Sequence, residues 1–167
     1  QIRQALERDE FELFYQPKIS LSDHRIVGVE SLIRWHHPDL GLIGPDEFIA
    51  VAEETGSIID IGAWVIKQAC HACQVLSAQQ QTPIQVAINI SPRQFRDPNL
   101  VATMRRSLLD AELDPQNIEI EITETMLMQD INAAQNTINQ LSKLGVRLAI
   151  DDFGTGYSSL NYLKRFP

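Results

Sequence analysis

The stretch Ile150-Asp151-Asp152-Phe153-Gly154-Thr155-Gly156-Tyr157-Ser158-Ser159-Leu160 sets the terms for the rest of this 167-residue chain. The apolar run Arg147-Leu148-Ala149-Ile150 before it reads as a strand that delivers two adjacent carboxylates to its own C-terminal end. Adjacent strand side chains point to opposite sides. Two anions set side by side repel unless a cation lies between them or one is protonated. The economical explanation is a metal held by hard oxygen ligands. Gly154 and Gly156 allow backbone conformations closed to other residues, which suits a loop that moves or packs close to a ligand.

Three other apolar runs carry oxygen donors in the same way. Gln85-Val86-Ala87-Ile88-Asn89 ends in an amide, and Ile118-Glu119-Ile120-Glu121-Ile122-Thr123-Glu124 alternates acids with β-branched residues. Val27-Gly28-Val29-Glu30-Ser31-Leu32-Ile33-Arg34-Trp35 sets an acid inside an apolar run. Glu30, Asn89, Glu121 and the Asp151/Asp152 pair therefore sit at or near four strand ends. Oxygen ligands drawn from several strand ends converge at the C-terminal face of a parallel barrel.

The remaining pattern fits that frame. Residues 11–21 and 25–35 read as a hairpin across the polar turn Ser22-Asp23-His24. Gly44-Pro45 opens a helix that runs to Gly56, and a longer helix follows over 58–79. Asp97-Pro98 opens another helix, Asp114-Pro115 ends it, and Asp130 caps one that stops at Gly145. A strand is predicted over 146–152, and Ser158 or Ser159 starts a last helix. The order is a hairpin followed by helix–strand repeats with right-handed crossovers. The fold class is α/β, a partial TIM-like (β/α)8 barrel with an N-terminal β-hairpin, forming one domain over 1–167. Five strands are counted. A complete barrel takes about 250 residues, so the chain is expected to be the first two-thirds of one, cut before its last three strands.

Composition narrows the function. Fourteen Lys and Arg against 22 Asp and Glu give a net charge of −8. A partner for DNA or RNA backbones would need a basic face, whereas a small phosphodiester stays admissible if metal cations neutralise the site. No signal peptide and no bilayer-length apolar run occur. Cys70 and Cys73 lie inside a helical pattern on one face, without a second ligand pair for zinc, and read as ordinary helix residues. The absence of a disulfide framework points to a reducing cytosol. The chain is therefore expected to be cytoplasmic, with any membrane anchor supplied by other domains of a parent protein. Trp35, Trp64 and the stripe Met104, Leu108, Leu109 read as packing residues. His36 and His37 lack metal spacing, and Glu53 and Glu54 read as a helix C-terminal surface.

An ordered set of motifs runs nearly end to end. It comprises Tyr15-Gln16-Pro17, Glu30-Ser31-Leu32, Ile33-Arg34-Trp35, Ala52-Glu53-Glu54-Thr55-Gly56, Asn89-Ile90-Ser91, Glu121-Ile122-Thr123-Glu124 and the block from Asp151 to Leu160. In that set the chain resembles the EAL domain family, bacterial phosphodiesterases that linearise cyclic di-GMP. Ser31 replaces the Ala of the name-giving triplet. The resemblance implies that Glu30, Asn89, Glu121 and Asp151 hold one Mg2+ or Mn2+. It further implies that Asp151 bridges to a second ion, which Asp152 helps to hold. Glu30, Asp151 and Asp152 would form the catalytic set. Gln16 and Arg34 would touch the substrate, Leu32 would line a guanine pocket, and Glu124 would order the loop after Asp152. The residues alone leave alternatives open: Arg34 in a surface ion pair, Leu32 in a core, Glu124 complementing a helix dipole.

The family also uses a Lys, a later Glu ligand and a Gln that fall beyond a position equivalent to Pro167. The resemblance therefore implies a metal-dependent hydrolysis of cyclic di-GMP to linear pGpG in second-messenger signalling, impaired in this chain taken alone. The alternatives are a non-catalytic cyclic di-GMP receptor and a regulatory half-domain acting through protein contact. The partners implied are cyclic di-GMP, a second copy in a homodimer or edge-paired oligomer, and sensory or GGDEF-type domains in a parent protein.

Overall fold

The structure, a computed structural model, describes residues 2–80, 82–129 and 131–151. Its strands are β1 (Phe11–Ile19), β2 (Ile26–His37), β3 (Gly41–Ile43), β4 (Gln85–Asn89), β5 (Ile118–Thr123) and β6 (Arg147–Asp151). Its helices are α1 (Ile2–Glu7), α2 (Pro45–Thr55), α3 (Ile58–Gln80), α4 (Pro92–Phe95), α5 (Leu100–Asp110), α6 (Glu124–Gln129) and α7 (Ile131–Leu144). All six strands join one sheet, in the order β1-β2-β4-β5-β6, with β3 paired to β2. β1 is antiparallel to β2, while β2, β4, β5 and β6 run parallel through helical crossovers.

Sequence period decides which side of each strand meets the helices. β5 alternates strictly: Ile118, Ile120 and Ile122 are buried, while Glu119, Glu121 and Thr123 are only half-buried. The three isoleucines pack with Val86 and Ile88 of β4 against Ile66, Ala69 and Cys70 of α3 and Met104 and Leu108 of α5. A second cluster gathers Phe11, Trp35, Phe48 and Ile61, and both clusters share the partly buried Ile33, Trp64 and Val65. The core is therefore continuous. Cys70 and Cys73 are buried free thiols within it, and burial pushes the Cys70 thiol up to about 12.

The opposite face is concave. Lys18 on β1 and Glu121 on β5 are separated by β2 and β4, which would place their backbones ~14 Å apart in a flat sheet. Their side chains nonetheless meet at 2.6 Å, so the sheet curls as a barrel wall does.

Several local expectations need correction. There are six strands among the described residues, not five, because Gly41–Ile43 adds three residues antiparallel to the end of β2. Three residues are too few to show a period. The short helices α1, α4 and α6 were not predicted, for the same reason. α5 starts at Leu100, later than Asp97-Pro98 implied, because the Asp97 carboxylate accepts from the Asn99 backbone N–H and closes a separate turn. Leu109 is 71% exposed, not core, since one residue beyond Leu108 rotates it about 100° away from the Met104–Leu108 face. Asp130, Asp152, Gly154, Gly156 and Ser158 or Ser159 lie outside the described residues.

Candidate active site

Register sets Glu30, Asn89, Glu121 and Asp151 on neighbouring strands of the sheet. Glu30 of β2 lies beside Ala87 of β4, and Asn89, two residues further on, lies beside Glu121 of β5. Glu121 in turn lies beside Ala149 of β6, with Asp151 two residues further on. Going from β2 to β6, the donor positions climb along the strands. Tilted barrel strands require that climb if residues are to stay level with one another across the wall.

Asn89 donates its amide N–H to Glu30 Oε1 at 2.8 Å, which leaves the amide oxygen as its donor toward a cation. Glu121 is held by the Lys18 ammonium at 2.6 Å, and the same ammonium reaches Glu119 Oε1 at 3.0 Å. Burial pushes the Glu121 carboxyl above its usual range, Lys18 opposes that, and the neighbouring charges of Glu30 and Glu119 add to it. For Lys18, burial lowers its affinity for a proton, but the hydrogen bonds and charges of Glu121 and Glu119 outweigh this and leave it raised. Among the described residues, no three His, Cys, Asp or Glu side chains gather closely enough to hold an ion. The donor chemistry, carboxylates plus one amide, nevertheless fits a hard divalent cation rather than a thiophilic one.

Beside these strand ends opens a cavity of about 590 Å³, lined by Leu32, Asn89, Thr123 and, from α2, Pro45, Asp46 and Ile49. Leu32 thus faces a cavity, not a closed core. Gln16 is exposed and pairs in register with Glu30. Arg34 lies with its guanidinium 5.6 Å from the Phe14 ring centroid and donates to the Ile33 carbonyl. Among the described residues it makes no surface ion pair. Ser31 is buried, and its hydroxyl donates to the Ala87 carbonyl at 2.7 Å, so the departure from Ala adds a satisfied polar contact. Glu124 is the first residue of α6 and is 5% exposed.

The whole chain, residues 1–167, matches the family model described as the EAL domain. The chain belongs to the EAL domain family. It is 45% identical over 166 residues to the bifunctional diguanylate cyclase/cyclic di-GMP phosphodiesterase MucR of Pseudomonas aeruginosa. It is 42% identical over 167 residues to the cyclic di-GMP phosphodiesterase NbdA of the same organism. The chain spans 24% and 21% of the lengths of those two proteins. It superposes on the PaMucR phosphodiesterase in complex with c-di-GMP with a TM-score of 0.95 at 44% identity, covering 99% of this chain and 67% of that one. The FimX EAL domain of Pseudomonas aeruginosa bound to c-di-GMP superposes with a TM-score of 0.87 at 28% identity. EAL domains are TIM-like barrels, and the partial barrel expected from the sequence is what the chain forms.

Sequence reading missed four residues of this EAL site. Lys18 and Glu119 complete the charge cluster around Glu121. Arg93, on α4 just past Asn89, donates to the carbonyls of Glu53 and Glu54 at the end of α2 and so ties the Asn89 loop to the cavity wall. Gln94 accepts from the Ser91 backbone N–H at 2.8 Å, and its own backbone N–H donates to the Ser91 hydroxyl at 3.4 Å, forming a capping box. The Ser91-x-x-Gln94 spacing was the one available signal among these. No helix among the described residues is long and apolar enough to cross a membrane.

Proposed function

We propose that these residues form the N-terminal part of an EAL phosphodiesterase domain that hydrolyses cyclic di-GMP to linear pGpG with Mg2+ or Mn2+. The observation that carries the reading is the staggered register of Glu30, Asn89, Glu121 and Asp151 on four neighbouring parallel strands, beside a cavity lined by Leu32. The identity to cyclic di-GMP phosphodiesterases supports the substrate. Glu30, Asn89, Glu121, Asp151 and Asp152 would hold the cations, which when bound supply phosphoryl charge neutralisation and a water of lowered pKa. Arg34 offers a planar fork to a phosphate, Gln16 faces the same end, and Leu32 packs against a base. Coverage of 67% of the PaMucR chain supports one domain lacking its last strands here. Among the described residues the sheet ends at β1 and β6, and such edges favour a homodimer or an edge-paired oligomer.

The test uses the complete domain. Incubation with cyclic di-GMP and Mg2+ or Mn2+, resolved chromatographically, is expected to give pGpG. Asp151→Asn is expected to lower turnover by orders of magnitude with an unchanged melting transition. Tight binding without turnover under several metals would instead make the domain a receptor.

A further inference from the structure

Glu121 already holds a cation, and that cation belongs to the chain. The Lys18 ammonium sits 2.6 Å from Glu121 Oε1 and 3.0 Å from Glu119 Oε1. Lys18 comes from β1, on the far side of the curled sheet, whereas both acids lie on β5. Glu119 is not at a strand end. It faces the same side as Glu121, two residues earlier, and lies level with Glu30 and Ala87 through register. The Glu121 side chain is 11% exposed and that of Lys18 is 36% exposed, so the pair is only partly screened by water.

A divalent ion that takes Glu121 as a donor must either lie within a few ångströms of this ammonium or push it aside. Like charges at that distance repel strongly in a partly buried site. Lys18 has somewhere to go: released from Glu121, it keeps its contact with Glu119. The charges of Glu30 and Glu119 act on Glu121, and Lys18 limits the mutual repulsion of the three carboxylates without any metal.

We infer that Lys18 is an internal counter-ion that competes with the divalent cation for Glu121, with Glu119 as its resting partner once the metal is bound. It therefore sets how tightly the site takes metal, as a positioning residue and not a catalytic one. The inference rests on Glu121 being a metal donor. The opposite role is physically reasonable too: a lysine that orients Glu121 for the ion would make binding tighter, so the sign of the effect decides.

The experiment titrates MnCl2 into the complete domain that carries this chain and follows free Mn2+ by its electron paramagnetic resonance signal. Lys18→Met is expected to bind Mn2+ roughly tenfold tighter than the unsubstituted chain. Lys18→Gln should shift the same way, and it stands in if the methionine variant does not fold. Lys18→Arg, which keeps the charge, should stay within about threefold of the unsubstituted chain. Equal or weaker binding by the neutral variants overturns the inference while leaving the metal reading standing. So does a gain that survives when Glu121→Gln is added. No Mn2+ uptake by any variant, Lys18→Met included, overturns both.

Discussion

On its helix-facing side the sheet presents Val86, Ile88, Ile118, Ile120 and Ile122, none more than 2% exposed. On its concave side, residues one step away in sequence are Asn89, Glu119 and Glu121, tied to Glu30 and Lys18 by three hydrogen bonds. One backbone thus carries two kinds of contact. The apolar side is held by burial that is non-directional and pays no attention to which neighbour supplies the carbon atoms. The polar side is held by individual partners that can be exchanged for a ligand. The difference shows how a barrel can keep its fold while the polar contacts on its inner wall stay open to exchange.

That contrast can be broken by comparing neighbours on β5. Ile120→Ala is expected to cost about 2–5 kcal/mol in urea unfolding, because a fully buried side chain is removed from a packed site. Glu121→Gln should cost far less. Its amide oxygen still accepts from Lys18, and a buried negative charge close to Glu30 and Glu119 is lost. Equal losses at the two positions would mean that both faces are structural.

The junction between the faces is the next place to press. A Cβ on Gly62 of α3 would lie 1.7 Å from Gln94 Nε2 and 2.8 Å from its Cδ. Gly62→Ala should therefore expel Gln94 from its capping box and cost about 1–3 kcal/mol. In a double-mutant cycle with Gln94→Ala the penalty should largely vanish, since the clashing group is gone. Additive losses would show that Gly62 is needed for the helix itself and not for seating the Asn89 loop.

The smallest effect separates the faces by their tolerance of charge. Cys70 lies wholly in the helix-facing core, with its thiol raised from 9.0 to about 12. A thiol held neutral by the fold contributes fully below the unfolded value, and its contribution falls as pH climbs between 9 and 12. The loss should reach roughly 1 kcal/mol by pH 10 in thermal melts. Cys70→Ala should flatten that part of the profile. An unchanged profile would place the alkaline loss elsewhere.

Much of this was legible because it depends on short-range patterns. The alternation in 118–123 separates isoleucines from acids before any packing is known. The acids and amide at four strand ends were visible as residue types, and Gly56 and Gly145 marked helix ends, where both adopt positive φ. Leu109 shows the limit, since a stripe read by eye placed it one residue off the buried face. β3 shows another, because its pairing with the end of β2 gives three residues a strand geometry that no local period announces.

By itself the sequence determined five of the six described strands, the division of each into two faces, the oxygen donors at the strand ends and the EAL family. These follow from local period and side-chain chemistry. Only the tertiary structure decided the partners. Lys18 and Glu121 are 103 residues apart and lie on strands with two others between them. They meet because the sheet curls. Curvature is a property of the assembled sheet, set by the twist of every strand against the next, and no stretch of sequence states it alone.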